Sequence, residues 1–325
     1  MVHECEHRRG RIVSRNVELD GLLAFPLTPF TDDLDLNLDA FADHVEFHVE
    51  AGAGALFIAC GTGEFSALAP DELAALLRRA REVVRGRVPI WAGAGGGPAT
   101  ARAGVAAARE GGADGVLLLP PYLVTGPPEG LVDHVRYAAA GADIPVIVYH
   151  RSPGVFTAGG AAALLDIPTV VGLKDGYGDV DLMTRIVTTI RSAGGRGEQF
   201  LFFNGLPTAE VSARAYSAIG VARYSSAVHC FAPEIASAFH TALSTSDDAT
   251  MDALLSGFYL PLVALRDETP GFAVSLVKAA ARLRGEKVGG VRPPLREPSA
   301  EQLDRLERII GAGFEVLAQV KGAGK

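Results

Sequence analysis

A lysine and a tyrosine at the ends of two successive apolar runs are the side chains whose positions point most directly to chemistry. Lys174 follows the run VVGL, and Tyr149 ends the run IPVIV one repeat earlier. A lysine in apolar surroundings loses its proton more readily, and the neutral amine is the nucleophile that forms a Schiff base with a ketone. Such a lysine is expected to have a pKa of roughly 7–8, against about 10.4 in water.

Both side chains also have an ordinary structural interpretation. Lys174 could reach solvent past the strand end or pair with Asp175, and from this strand alone the two interpretations are comparable. A lone tyrosine is more often a rim aromatic whose hydroxyl meets water. The interval of one repeat between Tyr149 and Lys174 favours a joint role, in which the phenol moves protons to and from the imine.

Glycines and polar side chains follow the other apolar runs. The turn Gly61-Thr62-Gly63 could hold a carboxylate on its backbone amides, although by itself it also fits a plain tight turn. We expect Glu64 to hold loop amides and not to act as a base. The further candidates for substrate binding are Arg151, Asn204, Gly205, Ser225 and Ser226.

Several patterns that resemble cofactor or metal sites are discounted. GAGGG (93–97) lacks the dinucleotide spacing G-x-G-x-x-G. His44 and His48 have helical spacing but no metalloprotease glutamate, which favours a surface or interface helix. His229 and Cys230 stand too far from other ligands in the sequence to indicate a metal. We therefore predict no metal and no organic cofactor.

The elements that must position these residues alternate in type along the chain. Short, mostly fully apolar runs are typical of parallel strands buried on both faces, and Ala/Leu/Arg-rich stretches between them predict helices. Eight such units predict an α/β fold, a closed (β/α)₈ TIM barrel, with a doubly wound open sheet as the rival. The predicted strands are 21–27, 54–60, 88–94, 114–120, 144–150, 169–175, 199–205 and 219–225.

Strand signals cease near Ser246. Helical patterns over 249–267, 271–284 and 299–320 predict a C-terminal helical appendage. The predicted domains are a flexible N-terminal extension (1–20), the barrel (21–245) and a C-terminal helical domain (246–325).

Composition restricts the classes of partner. The chain has 325 residues and a net charge of −8 without a basic tract, so we expect no nucleic acid partner. Its three cysteines fit no disulfide or zinc framework. No apolar stretch is long enough for a membrane span, and no signal peptide is recognisable. A soluble cytoplasmic protein is therefore expected.

The motifs taken in order carry a family resemblance. FPLTPF (25–30), CGTGEF (60–65), LPPY (119–122), PVIVY (145–149), GLKDG (172–176) and RYSSA (223–227) resemble the dihydrodipicolinate synthase / N-acetylneuraminate lyase superfamily. The resemblance implies that Lys174 is the imine lysine, that Tyr149 is the proton-transfer phenol and that Thr62 assists it. It also implies a homo-oligomer, a tetramer or a dimer.

Three positions separate the chain from the synthases within this superfamily. Gly61 stands where the synthases have the first of two threonines, Leu123 where they have a second tyrosine, and Gly154 where they have a carboxylate-binding arginine. GTGEF, the arginine two residues after Tyr149, and YSSA (224–227) instead resemble the 5-dehydro-4-deoxyglucarate dehydratase branch.

That resemblance implies a function. The expected substrate is 5-dehydro-4-deoxy-D-glucarate, which is dehydrated and decarboxylated to 2,5-dioxopentanoate in sugar-acid catabolism. An aldolase or synthase of the same superfamily is the enzyme alternative, because it needs the same imine. A non-catalytic barrel that binds a keto acid is the alternative from another class.

Overall fold

The eight predicted strands form a closed parallel barrel. The computed structural model describes residues 19–121, 123–124 and 126–323, so most of the predicted N-terminal extension (1–20) and Tyr122 of the LPPY motif lie outside the described residues. β1 pairs with both β2 and β8, which closes the sheet and excludes the doubly wound alternative. The strands are β1 (Leu23–Ala24), β2 (Ala55–Ile58), β3 (Ile90–Ala94), β4 (Gly115–Leu118), β5 (Val146–His150), β6 (Val170–Asp175), β7 (Leu201–Asn204) and β8 (Arg223–Ser226).

Helices follow the strands and cover the outside of the barrel. The helix after β2 begins at Pro70, and the Glu72 carboxylate accepts a hydrogen bond from the Ala69 backbone N–H at 2.9 Å. Such a contact satisfies one of the free amides at a helix start. These helices are α1 (Leu38–Glu50), α2 (Pro70–Val84), α3 (Pro98–Glu110), α4 (Pro128–Ala139), α5 (Ala158–Ala162), α6 (Val180–Ser192), α7 (Ala213–Ala218) and α8 (Pro233–Thr245).

The C-terminal part of the chain is helical, as predicted. A π-helical turn over Leu255–Tyr259 joins the first two of its helices. This part shares one hydrophobic cluster with the barrel, in which Tyr224 of β8 and Phe239 of α8 pack with Tyr259, Leu276 and Leu306. The helices are α9 (Asp248–Leu254), α10 (Leu260–Arg266), α11 (Phe272–Leu283) and α12 (Ala300–Ala323).

The barrel interior is a packed core. Leu23, Phe57, Trp91 and Phe203 belong to one buried cluster inside the strands. All residues of β2, β3, β4, β5 and β7 are buried, as expected for parallel strands covered on both faces. Within the part of the chain that is described, no helix is long and apolar enough to cross a membrane.

Candidate active site

Tyr149 and Lys174 lie side by side at the carboxyl ends of β5 and β6. The two strands pair in parallel, with Tyr149 directly opposite Lys174. The Lys174 Nζ is 4.5 Å from the centroid of the Tyr149 ring and 3.9 Å from that of Phe25. Both residues are buried, each 5% exposed. The carboxyl ends of barrel strands are where such enzymes carry their active sites.

The environment of Lys174 favours the neutral amine. Burial is the main reason that the pKa of Lys174 is lowered to about 7; Cys60 opposes the shift, and Arg151 makes a smaller contribution in the same direction as burial. No carboxylate among the described residues lies within ion-pair distance of Nζ. A large share of the amine is therefore unprotonated at neutral pH, as a Schiff-base nucleophile requires.

Asp175 is not the partner of Lys174. Consecutive strand residues point to opposite faces, and Asp175 points away from the barrel interior. Its Oδ1 accepts a hydrogen bond from the Tyr177 backbone N–H at 2.8 Å, and its Oδ2 accepts one from the Tyr216 hydroxyl. The alternative of a solvent-exposed or Asp175-paired lysine is thus excluded.

Two glycines leave room for the reacting side chains. A Cβ at position 205 would lie 2.0 Å from Lys174 Cε, and a Cβ at position 176 would lie 2.6 Å from the Tyr149 hydroxyl oxygen. Neither distance is compatible with another residue unless the lysine or the tyrosine moves. Gly205 therefore contributes space for the lysine stem, besides its place in the cavity wall.

The Tyr149 hydroxyl is held by two contacts. It donates a hydrogen bond to the Gly205 carbonyl at 3.1 Å and accepts one from Arg151 Nη1 at 3.2 Å. Burial raises the pKa of Tyr149, and Arg151 opposes that shift. The phenol therefore keeps its proton at neutral pH. Among the described contacts, its hydroxyl has no hydrogen bond to Thr62.

A cavity of about 320 Å³ opens over Lys174 and Tyr149. Its volume suits a small organic acid. Eight of the ten residues predicted for the site line it, and these are Gly61, Thr62, Tyr149, Arg151, Lys174, Gly205, Ser225 and Ser226.

Gly63 and Asn204 are not among the residues that line this cavity, and their role in substrate binding stays a prediction. The Gly63 carbonyl accepts a hydrogen bond from Thr28 Oγ1 at 2.7 Å. The Asn204 side chain donates to Ser212 Oγ at 2.8 Å and accepts from the Leu206 backbone N–H at 3.1 Å. Both residues shape the loops that carry the site.

A buried carboxyl group that sequence reasoning missed lies behind the cavity wall. Ser226 Oγ donates a hydrogen bond to Glu210 Oε1 at 2.5 Å, while Glu210 Oε2 has no hydrogen-bond partner among the described residues. Burial raises the pKa of Glu210 to about 7. The motif GLPTAE (205–210) marked this stretch in the sequence, but nothing in it shows that Glu210 faces Ser226.

The C-terminal helices supply the other side of the cavity, which the sequence did not predict. Arg266 of α10 lines it together with Phe272 and Leu276 of α11. Arg266 Nη1 donates to the Pro207 carbonyl and to Thr208 Oγ1, both at 2.8 Å. The cavity thus contains two guanidinium groups, those of Arg151 and Arg266.

Glu64 has the structural role that its sequence position suggested. It is 3% exposed, and its Oε1 is 2.7 Å from Lys278 Nζ of α11. Its Oε2 accepts the Arg292 backbone N–H at 3.1 Å. This buried ion pair joins the loop after β2 to the C-terminal helices.

Of the surface or interface helix predicted at His44 and His48, the surface position is wrong for these two side chains. Both side chains are fully buried, and His48 contacts His229. The separation of these residues in the sequence concealed their proximity.

The chain is similar in sequence to a known protein family and to relatives in bacteria. Residues 18–312 match the profile of the Dihydrodipicolinate synthetase family. The chain is 54% identical to the "Probable 5-dehydro-4-deoxyglucarate dehydratase 1" of Streptomyces coelicolor, over 94% of this chain and 96% of the relative. It is 43% identical to the "Probable 5-dehydro-4-deoxyglucarate dehydratase" of Rhizobium rhizogenes, over 89% and 94%.

Solved structures are similar in fold at lower sequence identity. The dihydrodipicolinate synthase of Oceanobacillus iheyensis superposes with a TM-score of 0.83 at 24% identity, covering 90% of this chain and 96% of that one. The dihydrodipicolinate synthase of Thermotoga maritima gives a TM-score of 0.79 at 26% identity, covering 91% and 99%.

Proposed function

The chain belongs to the dihydrodipicolinate synthetase family, and on that premise we propose that it is a 5-dehydro-4-deoxyglucarate dehydratase. This is a lyase that converts its substrate into 2,5-dioxopentanoate, water and carbon dioxide. The observation that carries the proposal is the buried Lys174 amine beside the Tyr149 phenol, in a cavity lined by two guanidinium groups.

The first step in the proposed mechanism is imine formation. The neutral Lys174 amine attacks the ketone carbon beside one carboxylate, and the carbinolamine loses water to give an iminium ion. Tyr149 supplies the proton for that departing water, because its raised pKa keeps the phenol protonated and Arg151 stabilises the phenolate that results.

Elimination and decarboxylation then use the iminium as an electron sink. Tyr149, assisted by the Thr62 hydroxyl, takes a proton from the adjacent methylene, and the enamine expels the neighbouring hydroxyl as water. The conjugated iminium accepts the electron pair of the bond to the far carboxylate, which leaves as carbon dioxide. Protonation and hydrolysis release the product and the Lys174 amine. No metal or organic cofactor takes part in these steps.

The two carboxylates of the substrate need separate partners. Arg151 and Arg266 are the cavity's cations, and a guanidinium group binds a carboxylate through paired hydrogen bonds. The backbone amides of Gly61 and Thr62 are further donors, and Ser225 Oγ is a partner for a substrate hydroxyl. We assign Arg151 to the carboxylate beside the imine, because its guanidinium contacts the Tyr149 hydroxyl.

The proposal extends to assembly, domains and location. A homo-oligomer, a tetramer or a dimer, is part of the proposal because of the family to which the chain belongs. We also propose a barrel domain over 21–245, a helical domain over 246–325 and a cytoplasmic location. Light scattering during gel filtration tests the assembly.

Product analysis tests the function. The protein is incubated with 5-dehydro-4-deoxyglucarate, and carbon dioxide and 2,5-dioxopentanoate are quantified. Equal amounts of both, lost in Lys174→Ala and kept in the exposed-lysine variant Lys287→Ala, are expected. Pyruvate without carbon dioxide would indicate the aldolase alternative. Saturable binding without any product would indicate the non-catalytic barrel.

A further inference from the structure

Three imidazole groups form a connected row inside the protein, outside the active-site cavity. His44 and His48 lie on α1, and His229 lies in the short turn of helix after β8. His48 Nε2 is 3.2 Å from His44 Nε2, and His48 Nδ1 is 2.8 Å from His229 Nδ1. All three side chains are fully buried, and so is the thiol of Cys230. The proposed lyase chemistry uses none of these groups.

The spacing of three of these groups suits a metal ion. One ligand atom from each of His44, His48 and Cys230 lies within 4.8 Å of the other two. In a tetrahedral zinc site the bonds are about 2.0 Å to nitrogen and about 2.3 Å to sulfur, which puts ligand atoms roughly 3.3–3.6 Å apart. The 3.2 Å between the two Nε2 atoms already matches one edge of that tetrahedron. Closing the site therefore requires a movement on the order of 1 Å, chiefly of the thiol.

The outer nitrogens of both histidines are already engaged. His44 Nδ1 is 3.2 Å from Glu286 Oε2, and His48 Nδ1 contacts His229. Metal-binding histidines commonly donate their other ring N–H to a carboxylate or another polar group, which fixes the ring and leaves the inner lone pair free for the metal. Here Glu286 and His229 occupy those outer positions. The two Nε2 atoms are consequently the ring nitrogens left for a metal ion.

We propose that His44, His48 and Cys230 bind one divalent transition-metal ion of the zinc type. Two imidazoles and one thiolate form a donor set that binds zinc better than it binds hard cations such as Mg²⁺ or Ca²⁺. The thiol would release its proton when the ion binds. The ion would join α1 to the turn after β8, two elements that are far apart in the sequence. Its fourth coordination position stays free for water or another ligand.

The proposed ion would also lie next to one wall of the active site. Cys230 Sγ is 3.4 Å from the Phe25 carbonyl oxygen, and the Phe25 ring packs 3.9 Å from Lys174 Nζ. The proposed site therefore has a structural role behind Phe25. Loss of the ion is expected to lower the melting temperature more than it changes the rate of the chemical step.

Cobalt substitution tests the site in the full-length protein without an affinity tag. After removal of metals by a chelator, the protein is titrated with Co²⁺ and then with Zn²⁺. We expect one equivalent to bind, with a thiolate-to-cobalt charge-transfer band that Zn²⁺ removes and a higher melting temperature. Cys230→Ala and His48→Gln should lose the band. Cys5→Ser is the matched control, because Cys5 lies between His3 and His7 in the sequence and could bind metal by itself.

Further outcomes keep the proposal falsifiable. Glu286→Gln should weaken Zn²⁺ affinity by roughly 10–100-fold, as is usual when the partner of a ligating histidine is changed. If His48→Gln does not fold, the number of Zn²⁺ ions bound by Cys230→Ala tests the proposed site instead. The proposal is overturned if the wild type binds no stoichiometric Zn²⁺ or Co²⁺. It is equally overturned if Cys230→Ala keeps the band and Cys5→Ser loses it.

Discussion

Gly205 and Lys174 are fitted to each other so closely that a single methyl group at position 205 would lie 2.0 Å from Lys174 Cε. The lysine stem passes over the glycine, and the Gly205 carbonyl accepts the hydrogen bond of Tyr149. The position of the amine therefore depends on a residue that carries no reactive group.

Gly205→Ala is expected to reduce kcat/KM by on the order of 100-fold or more, because a misplacement of about 1 Å can cost that much. Steady-state kinetics measure the effect, and circular dichroism checks the fold. Gly97→Ala is the matched control, since a Cβ at that position meets no atom within 4 Å. Equal activity of the two variants would show that the lysine tolerates displacement.

The pH dependence of kcat/KM should report the Lys174 amine. Since the pKa of Lys174 is lowered to about 7, the reactive neutral form increases as pH rises through 7. We expect kcat/KM to rise tenfold per pH unit below about 7 and to level off above it. The raised pKa of Tyr149 predicts no decline from that phenol before pH 10. A plateau extending unchanged down to pH 5 would contradict the assignment of Lys174 as a neutral nucleophile.

Removal of the Tyr149 hydroxyl should slow the chemistry without unfolding the barrel. Tyr149→Phe keeps the ring that packs against Lys174 Nζ and removes only the proton-transfer group. A decrease in kcat of about 10²–10⁴-fold with a small change in KM is expected. Tyr137→Phe, at an exposed tyrosine, is the control. An unchanged kcat in Tyr149→Phe would remove the phenol from the mechanism.

The two cavity arginines should differ in their effects. Arg266→Met is expected to raise KM by roughly 10–100-fold, which corresponds to about 1.5–3 kcal/mol for a charged hydrogen bond. Arg151→Met should lower kcat as well, because Arg151 also contacts the Tyr149 hydroxyl. Arg185→Met, on the exposed face of α6, is the control. If Arg266→Met matched that control, Arg266 would not bind substrate.

The sequence was informative wherever a local pattern determined the structure. The apolar runs predicted all eight strands, whereas the position of Lys174 after one of them fitted a buried lysine with a lowered pKa and a solvent-facing lysine equally well. Arg266 and Glu210 could not be found in this way, because helix packing and loop closure bring them to the cavity. His48 and His229 are 181 residues apart, so their contact depends on how the barrel closes. The sequence also assigned Asn204 to the cavity, whereas its amide is used to hold the following loop.

Trapping of the imine tests the central claim most directly. The protein is incubated with 5-dehydro-4-deoxyglucarate and sodium borohydride, and the reduced adduct is located by peptide mapping. Because the chain has five lysines, peptide mapping has few candidate positions to distinguish when it locates the adduct. A single adduct on Lys174, absent in Lys174→Ala and retained in Lys287→Ala, is predicted. An adduct on another lysine, or no adduct while the product still forms, would contradict a mechanism through Lys174.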